Sequence, residues 1–519
     1  MGVSDYSGFQ TQKSQKFFAD LSGLNSKQDN KDKLDNTLVE KIRLKVSIKN
    51  IKKGCEYQIK IYNINEEQKN LLNEINNCIL QDDAVIILDT PILIDYYFEK
   101  EQYLLIEIIR IEKDVPNEFI VETTLGTIMG ARKNCYSVNI SSSENELLIL
   151  EAIKYEKTKE VINIKFEIRT KRYVKFDDVK YKMYYEIYSD RILYRSECLN
   201  DKGIFDNVKI PTVLFKDNKI KILFYKNTRK IVGDFTLSIK QFINNETFNF
   251  NLNGVNLNVI SKSQLNKSYT FVDYLKAGIQ IGLIIAIDFT KSNGNPNKID
   301  SLHYIYGPYP NQYERAIYSC GNIIANYNYH QLFPAFGFGA IINDNDSTSI
   351  FNLNFKKEPE IKFIQGVIEA YHKAVYKVEF TGLTLFAPLI HKINSMMKKD
   401  INNFKYNILM IITKGQIDDI NETIDELVES SFLPLSVVII GVGNADFSQM
   451  EILDADINPL KNSKGEEACR DLVQFVPFIK FEKNPEKLSD AVLAEIPRQL
   501  IEYYEQNNYI RINYLDIYE

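Results

Sequence analysis

At 519 residues, 45% of them hydrophobic and 25% charged, the chain is long enough for about three packed domains, and it has no apolar run long enough to span a bilayer. Six scattered cysteines with no CxxC, and four histidines of which no two are spaced i, i+4, argue against a disulfide framework, a structural zinc site and a histidine-based metal enzyme. The formal net charge of −6 hides an asymmetry: residues 146–262 hold 22 Lys and Arg against 15 Asp and Glu, so this stretch is expected either to meet an anionic partner or simply to present a solvated face.

Residues 1–36 are polar and weakly periodic and read as a flexible arm with one helical turn near Lys16–Leu21. They lack the basic-then-apolar pattern of a secretion signal. Gly2 is a poor acceptor for myristate, because Tyr6 stands where Ser or Thr is wanted, so an unmodified arm is expected. From about 38 to 262 the texture is β, in short runs such as Lys41–Ile48, Tyr57–Tyr62, Ala84–Leu88, Tyr103–Ile109, Val161–Ile168, Tyr181–Tyr188 and Lys219–Tyr225. That length suits two antiparallel β-sandwiches, over 37–145 and 146–262, joined where Ser141–Glu146 breaks the pattern.

After residue 270 the pattern changes. Ile281–Ile287 is continuously apolar, as a strand buried on both faces requires, and Leu332–Ala340, Asn407–Thr413 and Leu435–Val442 are similar. Helical periodicity separates them at Tyr313–Tyr327, Ile361–Tyr376, Ala387–Lys399 and Asn421–Ser430, and follows at Lys487–Asn507. Alternating strand and helix predicts an α/β doubly wound, mostly parallel sheet over 270–510, with a tail at 511–519.

Such sheets place ligands beyond the carboxyl ends of their strands, and here the first strand ends in Asp288-Phe289-Thr290-Lys291-Ser292. One carboxylate and two hydroxyls at alternate positions suit Mg²⁺ or Mn²⁺, and they equally suit a turn in which Asp288 caps the following segment. His303 reads as a packed, hydrogen-bonded histidine, and Asp446, Asp454 and Asp456 as caps. No phosphate loop and no nucleophile–base pair at recognisable spacing occurs, so no enzyme is expected. The aromatic pairs Tyr184-Tyr185 and Tyr503-Tyr504 read as core, so no nucleic-acid partner is expected.

Several longer motifs carry a resemblance. They are Ser301-Leu302-His303-Tyr304, Phe333–Ala340, Thr384-Leu385-Phe386-Ala387-Pro388, Gly441-Val442-Gly443, Asp471–Phe478 and Leu493–Pro497, with Asp95-Tyr96-Tyr97-Phe98-Glu99 and Tyr274–Gly278 upstream. Together they resemble the copine family, densely from Tyr274 to Pro497 and weakly in the sandwiches. The resemblance implies two C2 domains, which bind anionic phospholipid usually under Ca²⁺ control. It further implies a von Willebrand factor A-type domain, whose metal-ion-dependent adhesion site binds protein partners. Carried over, Thr290, Ser292 and Thr384 are the direct metal ligands and Asp288 acts largely through water.

The chain departs from that pattern where cations bind. The family's Thr-Asp-Gly reads Thr413-Lys414-Gly415 here. At about 5 Å and an effective dielectric of about 20, an ammonium opposes each unit of ion charge by about 3 kcal/mol. Mg²⁺ binding is therefore expected to be weakened or lost, with the Lys414 ammonium occupying or bordering the metal position and pairing with Asp288. Asp418 and Asp419 follow closely and offer partial compensation. The C2 loops are equally depleted: Lys49–Gly54 has no acid, Arg110–Asp114 sets two acids among cations, Tyr225–Lys230 is basic, and Asp177-Asp178 stands alone. This argues against Ca²⁺, which needs about 6–8 oxygen ligands. A basic stripe of Arg169, Lys171, Arg172, Lys175, Lys180 and Lys182 offers a Ca²⁺-free surface for anionic phospholipid.

The expectation is a copine-like peripheral adaptor. It would be cytoplasmic, peripheral at a membrane or held in an intracellular assembly, with a protein partner at its A domain. The alternative is a scaffold component of a larger assembly that has lost Ca²⁺ and metal switching.

Overall fold

The computed structural model describes residues 39–507, apart from 53–54, 66–67, 79–84, 89–91, 114, 141–145, 156–158, 171–181, 190, 201, 206, 227–229, 245–246, 253–254, 343–349, 401–403, 455–458, 483 and 485. The arm, Gly2 and the 511–519 tail lie outside the described residues. The described residues form two compact bodies, one built from 157–270 and the other from 39–156 together with 271–507.

The first sandwich belongs to the second of these bodies. Strand Glu40–Lys49 alternates, with Ile42, Leu44, Val46 and Ile48 buried between polar neighbours, as a half-buried strand must. It pairs with Val85–Ile87, Ile92–Tyr96 and Leu147–Lys154, and the last of these pairs with Cys135–Asn139. The facing sheet runs Gln68–Cys78, Glu56–Asn65, Tyr103–Glu112, Val115–Thr124. The expected join at 145/146 is thus corrected. Leu147–Lys154 lies in register with the first strand (Leu44 opposite Ala152, Val46 opposite Leu150), and Ile140 N donates to Glu146 O at 3.0 Å. The polar Ser-Ser-Ser-Glu-Asn-Glu run connects two paired strands of one sheet.

The second sandwich therefore runs over 157–270. Its last strand, Gln264–Ser268, pairs with Lys159–Ile164. The predicted run Val161–Ile168 is two strands. At Lys165 the chain passes from the sheet containing Val208–Pro211 to the one containing Val255–Ser261. A four-stranded sheet, Ile192–Arg195, Met183–Tyr188, Lys219–Lys226, Ile231–Ser238, completes the core around Phe166, Tyr185, Phe205, Phe224 and Phe242. With the boundary redrawn the module holds 22 basic against 12 acidic residues.

The α/β domain is doubly wound. Gln280–Asp288, Leu332–Phe338, Lys405–Thr413, Leu435–Gly441 and Val473–Pro477 are mutually parallel, and the short Ile350–Asn352 runs antiparallel at one edge. Helix Gln312–Ala325 starts on a capping box between Asn311 and Glu314. Three expectations change in detail. Val473–Pro477 is a strand the sequence reading passed over. Glu360–Lys362 is a strand, so the next helix begins at Ile364. The predicted helix Lys487–Asn507 is two, Glu486–Leu493 and Ile496–Gln506, because Pro497 lacks the N–H that would bond back to Leu493.

The first sandwich and the α/β domain share a packed seam. Phe98 lies against Phe271 and Tyr327, with ring centroids 5.0 and 4.9 Å apart. The hydroxyls of Tyr96 and Tyr327 are 2.6 Å apart and buried. Lys154 pairs with Asp273 at 2.6 Å, and Thr127 donates to Asn326 at 3.1 Å.

Candidate cation and docking site

The strand-end cluster is built by the ends of Gln280–Asp288 and Lys405–Thr413. Asp288 is buried, and protein donors engage both of its carboxylate oxygens. Oδ1 accepts from Thr290 N at 2.8 Å; Oδ2 accepts from Thr413 Oγ1 at 2.8 Å and from Lys414 N at 3.3 Å. Its carbonyl accepts from His303 Nε2 at 2.9 Å, Asn293 Nδ2 at 3.2 Å and Tyr313 Oη at 3.3 Å. His303 must therefore carry its proton on Nε2, and Nδ1 accepts from Tyr371 Oη at 2.8 Å. His303 is the packed histidine expected; burial holds its pKa down at about 3.

Thr290 Oγ1 and Ser292 Oγ are 2.9 Å apart. The Lys414 ammonium reaches this loop and bonds the Ser292 carbonyl. The expected Lys414–Asp288 ion pair is corrected: Lys414 meets the carboxylate through its backbone N–H, while its side chain goes to Ser292. Gly339, at φ 72°, lets the neighbouring strand end approach Thr290, whose Cγ2 would lie 2.4 Å from any Cβ there. Thr384 is tied elsewhere: its N–H donates to Asp418 Oδ2 at 2.8 Å and its carbonyl accepts from Asp418 N at 2.9 Å. Asp419 accepts from Phe386 N and Ala387 N at 3.0 and 2.8 Å, which caps helix Ala387–Asp400. Both acids expected to compensate for Lys414 are thus engaged with the 384–387 backbone. Among the described residues, an ion among Thr290, Ser292 and Thr384 would find the Asp288 carboxylate already bonded at both oxygens, the Asp418 carboxylate bonded to Thr384 N, and an ammonium seated on Ser292. Among the described residues no three His, Cys, Asp or Glu side chains gather as a metal group.

The loop end of the first sandwich also holds charges of both signs. Lys52 Nζ, from the first loop, pairs with Glu112 of the second at 2.8 Å. Beneath them Arg110 and Glu146 form a buried ion pair at 2.9 Å. Glu146 Oε1 further accepts from Tyr57 Oη at 2.5 Å and from Lys52 N at 3.1 Å. Burial and this bond together raise the Tyr57 pKa. The sequence reading treated Glu146 as part of a linker and missed this network.

Of the basic stripe, Lys171, Arg172, Lys175 and Lys180 lie outside the described residues, as do Asp177 and Asp178. Arg169 is exposed and pairs with Glu167 at 2.7 Å, while Lys262 meets the same carboxylate at 2.8 Å. These bonds hold the Glu167 pKa at about 2, so the Arg169 charge is locally balanced. Lys182 is half-buried. The structure brings forward a second basic face. Tyr184 opposes Tyr225 and Tyr188 opposes Lys221 across the Met183–Tyr188 and Lys219–Lys226 pair, so they share one face. Lys219 and Lys221 are exposed on it, and the Tyr184 and Tyr225 rings stack at 5.0 Å. The alternation Lys219, Lys221, Leu223, Tyr225 was the available signal.

Several solved structures are distantly similar to the chain. A calcium-bound fragment of extended synaptotagmin 2, comprising its two C2 domains, is 9% identical and aligns over 44% of this chain and 97% of its own, at a TM-score of 0.16. The manganese-loaded TRAP protein of Plasmodium vivax is 13% identical over 41% of this chain and 74% of its own, at 0.26. A von Willebrand factor type A protein from Catenulispora acidiphila is 9% identical over 67% and 52%, at 0.25. At these scores the fold rests on the sheet topology above. A profile of the copine family matches residues 301–511, most of the α/β domain, and over that stretch the chain is similar to that family.

Proposed function

We propose that this chain is a peripheral adaptor that binds anionic phospholipid through its second sandwich without a Ca²⁺ trigger and binds a protein partner at the strand-end edge of its A-like domain. Its domain set is that of an interaction adaptor, and no helix among the described residues is long and apolar enough to cross a membrane. The observation that carries the lipid reading is the outward sheet face with Lys219, Lys221 and the Tyr184–Tyr225 stack, in a module with 22 basic and 12 acidic residues. Each basic group near an anionic surface contributes about 1 kcal/mol. The Ca²⁺-free reading is supported by the Lys52–Glu112 pair, which commits a loop carboxylate to an ammonium. No catalytic role is proposed.

The test is sedimentation of the full chain with phosphatidylserine-containing and with neutral vesicles, in Ca²⁺ and in chelator. Expected is anionic-selective binding, equal in both conditions, that falls with salt and weakens about tenfold or more in K219E/K221E. Binding only with Ca²⁺ would refute the reading. No binding in either condition would favour a second reading, a constitutive scaffold component, to which the Lys414–Ser292 bond lends support.

A further inference from the structure

Resting on the reading that the strand-end edge docks protein, we propose that Lys414 gives this site a tethered cation, so that it receives a partner's carboxylate with no divalent ion. Three observations combine. The Asp288 carboxylate already accepts from Thr290 N, Thr413 Oγ1 and Lys414 N, which fills three of its roughly four acceptor positions and leaves little for an added ion. Among the described residues, the charge that the opposite strand end brings to the Thr290–Ser292 hydroxyl pair is the Lys414 ammonium, seated on the Ser292 carbonyl. An ammonium has three donors, and one carbonyl uses one of them.

The Lys414–Ser292 bond lies at the surface and Ser292 is exposed, so the site is open to a partner's carboxylate. A carboxylate placed there would meet a fixed positive charge, whose attraction a divalent ion would otherwise supply. Lys291, between the two hydroxyl residues, also lines a groove of about 420 Å³ shared with Pro296, Tyr376 and Phe380. Exposed Tyr306 packs against Tyr376 of this groove, with ring centroids 6.0 Å apart. Among the described residues, Glu379 lines the groove and Asp418 is held by Thr384 N. The occupant this chemistry fits is an acidic peptide segment with an apolar side chain beside its carboxylate.

The experiment uses the full chain, Mn²⁺ titration followed by calorimetry and electron paramagnetic resonance, and a fluorescent oligoglutamate peptide followed by anisotropy in chelator. Wild type is expected to bind the peptide in chelator and to show no Mn²⁺ uptake that Thr290→Ala abolishes. K414M should lose peptide affinity about tenfold, and K414R, which keeps the charge, should retain it. K414D should gain Mn²⁺ binding and make peptide binding depend on it. If wild type takes up Mn²⁺ through Thr290 and needs it for the peptide, the tethered cation is overturned and the docking reading stands; K414M binding as tightly as wild type has the same meaning. If neither wild type nor K414D binds the peptide, with or without Mn²⁺, both are overturned.

Discussion

Substituting Glu146 by Gln removes one half of an ion pair sunk beneath the loops of the first sandwich. The Arg110 and Glu146 side chains are only 8% and 2% exposed and meet at 2.9 Å, so water cannot replace either partner. Breaking such a pair from one side costs about 3–5 kcal/mol, because the surviving charge stays buried without its counterion. Gln keeps an oxygen for Tyr57 Oη and Lys52 N, bonds worth about 1 kcal/mol each, so E146Q should fall at the low end, about 3 kcal/mol. R110M strands the carboxylate and should cost about 3–5 kcal/mol, whereas R110M/E146Q leaves no buried charge and should return to within about 1 kcal/mol of wild type. At a urea dependence of about 3 kcal/mol per molar, E146Q should move the unfolding midpoint down by about 1 M, read from hydrogen exchange of strand Glu40–Lys49 across a urea series. A shift under about 0.3 M, or a double variant less stable than either single one, would refute the reasoning.

Two further outcomes follow from packing and protonation. The folded chain holds His303 neutral to about pH 3, whereas an unfolded imidazole protonates near the ordinary 6.5, so unfolding takes up a proton between those values. The stability this contributes is complete above about pH 6.5 and declines at about 1.4 kcal/mol per unit as pH falls toward 3. Thermal melts at pH 7 and pH 5 should show a shallower acid loss in H303Q than in wild type, and equal slopes would discard the account. At the seam, a Cβ on Gly130 would lie 1.9 Å from the Asn326 carbonyl oxygen, which is backbone and cannot turn aside. G130A should cost about 1–3 kcal/mol and split the melting of the larger body into two calorimetric transitions, where an unchanged single transition would contradict it.

The buried strands of the α/β domain were legible because every residue from Ile281 to Asp288 is covered on both faces, which leaves an unbroken apolar signature. The break before Ile496 was missed although Pro497 signals it, because the apolar periodicity runs on from one helix into the next. Ser141–Glu146 was misread because a polar connection inside a sheet and a linker between domains have the same composition; only the pairing of Leu44 with Ala152 tells them apart. The substitution at Lys414 stood out against the copine pattern, but its bonding did not. Which atom meets Asp288 depends on Thr413 and the main chain having already engaged that carboxylate. Tyr96 and Phe98 carried part of the resemblance, yet alternation along a strand cannot say that their rings close onto Phe271 and Tyr327 some 170 or more positions away.

The Lys154–Asp273 pair spans the two points where the chain leaves the larger body and re-enters it. The basic module between them is thus a detour in the covalent thread, a loop grown to the size of a domain, and linear order along the gene does not follow the order of folding units. A fragment begun at residue 271 loses the first sandwich on which it packs, whereas excising 157–270 and ligating across a salt bridge already in place should leave the remaining body whole.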